Sequence, residues 1–340
     1  MASRRIDLVG LAAVAAAFLA ALAVFGLLSR SDAPDPGARG GVADGAPGDV
    51  RSTDARIASL QGQVRNRPAG GGPYALLADA YLQKVRETGD AGFYSRAEGV
   101  LAAGRRRDPR SSAVAAGLGT LALARHDFRA GLRYGLEARR LAPDVVRPLG
   151  VIVDAQVELG RYGDAARTLQ LMVDRKPNLA SYSRVSYLRE LHGDLDGARR
   201  AMGLAVAAGG DAPENVAYVQ SLLGDLELAR GDLGAAGVAF RHARHDFPGY
   251  APALAGLARV DAARGDLDAA IRRMRGVVDR LPLPQHVIAL GELELAAGRR
   301  AAARRDLALV GAERRLLAAA GVNTDAEIAL YEADHGSPGR

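Results

Sequence analysis

The stretch RGDLGAAGVAFRHARHDFPGYAPALAGLARVDAARGDLDAAIRRMRGVVDRLP, residues 230–282, writes one pattern twice. Gly231-Asp-Leu-Gly-Ala-Ala and Gly265-Asp-Leu-Asp-Ala-Ala stand 34 residues apart, and Pro248 and Pro282 are separated by the same 34. A glycine supplies the left-handed backbone conformation that ends a helix. The small residue five places later, Ala236 or Ala270, lets a second helix approach the first closely. The proline closes that second helix and permits the next to start. Each unit therefore reads as a tight antiparallel helix pair.

The pattern extends in both directions. Equivalent markers occur at Gly160-Arg-Tyr-Gly-Asp-Ala, Gly193-Asp-Leu-Asp-Gly-Ala and Gly298-Arg-Arg-Ala-Ala-Ala, so that the five glycines are spaced by 33, 38, 34 and 33 residues. His126-Asp-Phe-Arg-Ala-Gly fills the same place 34 residues before Gly160, and Pro109, Pro143 and Pro177 repeat at 34 and 34. Leu118-Gly119, Leu223-Gly224 and Leu290-Gly291 place a large and a small residue together on the first helix of a unit. A period of about 20 to 50 residues marks an architecture built by stacking one supersecondary unit.

The order of large apolar residue, Leu-Gly, Gly-Asp-Leu, Ala and terminal Pro resembles the tetratricopeptide repeat. The resemblance implies an all-α, right-handed α-solenoid of about seven helix hairpins over residues 71–310. The first unit has Tyr74, Leu77, Ala78, Tyr81, Ala97, Leu101 and Pro109 in order, with about seven extra residues around Arg86 to Phe93 that predict an extended inner loop. The fourth unit ends in a displaced Pro213, which predicts a bend in the stack. A capping helix is expected within 51–70, from Ile57 to Pro68, and capping helices and a tail over 311–340, including a short helix at Asp325–Asp334; such caps shield the apolar face of a terminal repeat. The stretches LADAYLQKVRETGD, SYLRELHGDLDGARRAM and GVNTDAEIALYEADHG are also similar to a bacterial group of membrane-anchored or exported tetratricopeptide proteins of unassigned function. Members of that group continue past the segment matching Glu332–Gly336, which implies further repeats beyond Arg340.

In this repeat class the first helices line a concave groove and the ninth place of each unit points into it. Here that place holds Asp79, Thr120, Asp154, Tyr187, Asp225, Arg259 and Glu292. The resemblance thus implies a mildly acidic groove for a basic extended or helical segment, with Tyr187 as an aromatic anchor. Solvated acids that serve only solubility are the competing reading. Reversing Asp154 and Asp225 together is expected to weaken capture of a basic partner.

Composition narrows the function classes. The net charge is +6, yet Lys84 and Lys176 are the only lysines among 45 basic residues, and the arginines alternate with 39 acids on what read as solvated faces. Arg105, Arg106, Arg107 and Arg110 cluster at a helix end, where cations favour the negative pole. No nucleic-acid partner is expected. With no cysteine there is no disulfide, thiol nucleophile or cysteine-based zinc site. His242, His245 and Asp246 share a helix face, but a metal site needs further ligands at set distances. His126 and His192 fall at turns, where they can bond free carbonyls. No nucleophile or glycine-rich phosphate loop accompanies His335. No catalytic residue, metal or cofactor is expected.

At the amino end, Arg4 and Arg5 precede 21 uncharged, mainly apolar residues, Leu8 to Leu28. A helix of that length spans roughly 30 Å, the hydrocarbon thickness of a bilayer. Residues 1–30 therefore read as a single-pass anchor and 31–50, rich in Pro and Gly, as a flexible linker. Positive-inside bias keeps the N-terminus cytoplasmic and puts the repeats outside the cytoplasm. Export after signal cleavage is the alternative, although the apolar run exceeds an ordinary signal peptide and Pro34 follows the best cleavage site, Ser31-Asp32-Ala33. The expected role is a non-enzymatic scaffold or assembly factor that binds protein or peptide segments. The alternative is a regulatory or substrate-recruiting subunit of an envelope enzyme complex.

Overall fold

The computed structural model describes residues 52–66, 70–209, 213–324 and Tyr331. The described residues are helical, with no strand among them. Helix α1 (Thr53–Arg65) precedes hairpins α2/α3 (Gly72–Thr88, Gly92–Arg107), α4/α5 (Ser112–Ala124, Phe128–Leu141), α6/α7 (Arg147–Glu158, Tyr162–Arg175), α8/α9 (Leu179–Leu191, Leu195–Ala208), α10/α11 (Pro213–Ala229, Leu233–Asp246), α12/α13 (Ala251–Ala263, Leu267–Val278) and α14/α15 (Pro284–Ala296, Arg300–Leu307), and α16 (Val310–Ala319) follows. The anchor expected at 8–28, the linker at 31–50 and the helix at 325–334 lie outside the described residues. Among the described residues no helix is long and apolar enough to cross a membrane.

The hairpin turn is built from two residue types. Gly160, Gly193, Gly231, Gly265 and Gly298 all take positive φ, and His126 takes φ 60° in the same place. The aspartate that follows caps the second helix: Asp127, Asp194, Asp232 and Asp266 accept from the backbone N–H of Ala130, Gly197, Ala235 and Ala269. One Gly-Asp step thus satisfies the orphan groups of two helix ends.

Ala165, Ala198, Ala236, Ala270 and Ala303 are fully buried at the helix crossing. The glycine before the ninth place serves the same contact. A Cβ on Gly224 would stand 2.6 Å from the Phe240 ring of α11, and one on Gly291 2.5 Å from Leu307 of α15. These glycines face the second helix of their own hairpin, not the groove.

Helices α2, α4, α6 and α8 pack each on the next, as do α10 on α12 and α14 on α16, whereas no two successive second helices of the described residues pack lengthwise. The first helices therefore form the inner row and the second helices the outer one. Lengthwise contact is lost at two steps, between α8 and α10, at the unit with the displaced proline, and between α12 and α14. The apolar core has no single centre. Separate clusters run through α1 to α6, α6 to α12, and α12 to α14.

The extended inner loop expected in the first unit is absent. The extra residues lengthen α2 to 17 residues, against 13 for α4, and Gly89 at φ 70° ends it. A turn of helix takes 3.6 residues, so an added turn preserves the buried face where a shorter insertion would rotate it. Helix α1 lies antiparallel on α2, with Thr53 donating to Glu87, Gln61 donating to the Tyr81 hydroxyl at 2.9 Å, and Lys84 on Asp54 at 2.8 Å.

Candidate functional site: the inner face

The seven ninth-place residues all sit on the inner row of helices, but their surroundings differ. Asp79 on α2 is 2% exposed and pairs with Arg147 of α6 at 2.7 Å. Asp154 on α6 is 4% exposed and takes two parallel hydrogen bonds from Arg184 of α8, at 2.8 and 2.7 Å. Asp225 on α10 pairs with Arg259 of α12, so two of the seven are each other's partner. Thr120 is buried and donates to the carbonyl of Ala116 at 3.0 Å. Tyr187 on α8 and Glu292 on α14 are half-buried.

These contacts correct the expected electrostatics. The acids of Asp79, Asp154 and Asp225 do not present a free acidic surface, because each holds a guanidinium from a later unit. The carboxylate–guanidinium fork suits such buried pairing, where a lone charge would be costly to desolvate. Burial pushes the Asp154 carboxyl up to about 6, against the opposing pull of Arg184. Arg147 and Arg184 carry this ladder and were not among the groove residues read from the sequence. Their signal was helical spacing: Arg147 precedes Asp154 by seven, and Arg184 precedes Tyr187 by three, so each shares a face with it.

One acid stands apart. Glu190, on α8 and three residues past Tyr187, is half-buried and has no cation within ion-pairing distance among the described residues. Burial, reinforced by the charge of Asp225, raises it to about 7. Burial also pushes up the Tyr187 hydroxyl, assisted by Glu158, Glu190, Tyr162 and Asp154. Tyr162 and Leu191 border this region with exposed side chains, and the Tyr162 ring meets His192 edge-on. Two phenol rings, an apolar rim and an unpaired carboxylate therefore lie together at the turn end of the inner face. That set suits a cationic side chain, which a carboxylate attracts and an aromatic face stabilises.

Deeper in, Tyr218 and Tyr250 are buried with Arg184, Asp154, Glu214 and Arg86 near them, and burial drives both hydroxyls far up. His286 is buried on α14, with Nδ1 donating to the carbonyl of Leu281 at 2.9 Å, and burial lowers it to about 4. His192 bonds the carbonyl of Leu188, as a turn histidine should, whereas His126 bonds that of Asn323, 197 residues away. His242 and His245 are exposed on the outer helix α11.

Residues 227–287 match the tetratricopeptide repeat family. No curated protein matches the chain. Among solved structures the fold is similar to a chain of the APC/C hetero-tetramer Cut9–Hcn1, with TM-score 0.58 and 14% identity over 78% of this chain and 52% of that one. It is also similar to yeast Tom70 (TM-score 0.52, 14% identity, covering 73% of this chain and 59% of that one). A tetratricopeptide repeat protein from Parabacteroides merdae matches at TM-score 0.50 and 16% identity, covering 75% of this chain and 97% of that one. The chain spans about half the length of the Cut9–Hcn1 chain it matches. At these identities the likeness shows the fold. The hairpins repeat, inner helices stack on inner helices, and the family match falls in their midst, so residues 227–287 are tetratricopeptide repeats and the array around them has the same repeating fold.

Proposed function

We propose that the protein is a non-enzymatic scaffold that takes a segment of a partner protein on the inner face of its repeats, seated by a basic side chain between Tyr187 and Glu190. The observation that carries this reading is the uncompensated Glu190 carboxylate, beside an aromatic ring, on a face where Asp79, Asp154 and Asp225 are each paired with an arginine. An incoming cation would lower its pKa and relieve the repulsion from Asp225. Tethering through the apolar stretch 8–28, with the repeats outside the cytoplasm, would raise the effective concentration of any partner on the same membrane.

The test uses the full chain and fluorescent peptides of matched length, one arginine-rich and one glutamate-rich. Selective binding of the arginine-rich peptide that falls at least about tenfold in Glu190→Arg supports the reading. Equal binding of both peptides, or affinity unchanged in Glu190→Arg, discards it. Reversing Asp154 and Asp225 would not serve, because it breaks buried ion pairs and confuses unfolding with lost binding. Alkaline extraction of membranes and protease protection of the repeats test the tether.

A further inference from the structure

The array meets itself at three places that its linear succession does not require. Arg86, in the last turn of α2, lies 3.5 Å from Glu214 in the first turn of α10, and both side chains are largely buried. The turn after α2 seats against the α13–α14 connection, where a Cβ on Gly89 would stand 2.9 Å from Leu281. The segment after α16 clasps the α4–α5 turn: the Asn323 N–H donates to the carbonyl of Arg125 at 3.1 Å, and His126 Nδ1 lies 2.6 Å from the Asn323 carbonyl. Ala320 and Val322 of that segment join the same apolar cluster as Leu121 and Leu123.

Tyr94 of α3 links two of these places. Arg86 and Arg125 both act on its buried hydroxyl, which burial pushes up to about 12. Elsewhere α2 and α3 pack lengthwise only on each other, α1 and α4. The first two hairpins therefore touch the far units at points, and those points include a charge pair and a backbone hydrogen bond, which water can replace. Asp79, Asp154, Tyr218 and Tyr250 are all buried in this array.

We propose that the repeat array is held shut by a two-point latch, the Arg86–Glu214 pair and the Asn323 clasp on the α4–α5 turn, and that release of the latch opens the buried inner face to a partner. The consequence for a partner rests on the function proposed above; the closure itself does not. Opening would be a movement of the first two hairpins away from α10 and the α13–α14 connection, with every hairpin intact, as expected where each repeat packs chiefly on its neighbours.

The absence of cysteine makes the test direct, because introduced cysteines carry the only labels. Spin labels at Thr88→Cys and Asp279→Cys report the gap between the α2–α3 turn and the end of α13. The full chain should show strong dipolar broadening. Adding Arg86→Glu with Asn323→Pro should abolish it while far-UV helicity is retained, and pairing Arg86→Glu with Glu214→Arg, with Asn323 restored, should recover it. Broadening that persists in Arg86→Glu/Asn323→Pro overturns the latch. So does loss of helicity together with the broadening, because the contacts would then belong to the core. No partner enters this readout, so failure of the peptide experiment would leave it standing.

Discussion

Asp127, Asp194, Asp232 and Asp266 each close a helix N-terminus with one side-chain hydrogen bond, and three hairpin turns lack that bond, the first of them at Ala91. Arg161 and Arg299 stand at the equivalent place and make no cap. Arg161 has φ −90° and ψ 55°, close to the −86° and 73° of Asp266, so its backbone is already arranged for a cap. Asp266→Ala should cost about 1 kcal/mol, and Arg161→Asp should gain about 0.5 to 1 kcal/mol by supplying an acceptor at the positive pole of α7. Urea denaturation of the two variants reads both signs, and equal effects would refute the cap assignment. The Gly-Asp pair was visible in the sequence as a marker. Its double role was not, because a cap depends on the φ and ψ of the residue that carries it.

Between elements, glycine separates two kinds of position that look alike in the chain. Gly256 on α12 and Gly203 on α9 both lie inside helices. A Cβ on Gly256 would stand 2.2 Å from the Phe240 ring, which Gly224 already confines from the other side at 2.6 Å, whereas nothing lies within 4 Å of a Cβ on Gly203. Alanine in a helix interior gains about 0.5 to 1 kcal/mol over glycine. Overpacking a filled core costs about 1 to 3 kcal/mol. Gly203→Ala should therefore raise the melting temperature and Gly256→Ala should lower it. If both rise, Phe240 is free to move and the assigned packing fails. Period and marker foretold the hairpins; the added turn of α2 escaped them, because an insertion near one helical turn leaves the apolar pattern unbroken.

Across the whole molecule, buried titratable groups set a pH dependence of stability. Glu190 on α8 and Glu313 on α16 are each raised from 4.5 to about 7, and Asp154 from 3.8 to about 6, chiefly by burial. A raised carboxyl binds its proton more tightly in the folded state. Its contribution is full below the unfolded pKa and is lost as pH rises through the folded one. His286, lowered from 6.5 to about 4, acts oppositely: its contribution is present above 6.5 and lost as pH falls through 4. Three carboxyls against one imidazole predict a lower melting temperature at about pH 8 than at about pH 5. Glu190→Gln should reduce that difference, since an amide does not titrate. A melting temperature that rises from about pH 5 to about pH 8 would contradict the burial of these acids.

By itself the sequence determined the repeating hairpin, and its resemblance to a known repeat put Asp79, Asp154, Tyr187 and Asp225 at one recurring place of the first helices. Those features are local: a period, a turn residue and a helical face each depend on neighbours a few places away. Only the tertiary structure decided that Arg147, Arg184 and Arg259 neutralise three of those acids, that Glu190 is left without a cation, and that Arg86 and Asn323 bring distant units together. Pairing of charges across units depends on the small rotation between successive hairpins. That rotation accumulates along the array, and no single repeat encodes where the curve returns upon itself.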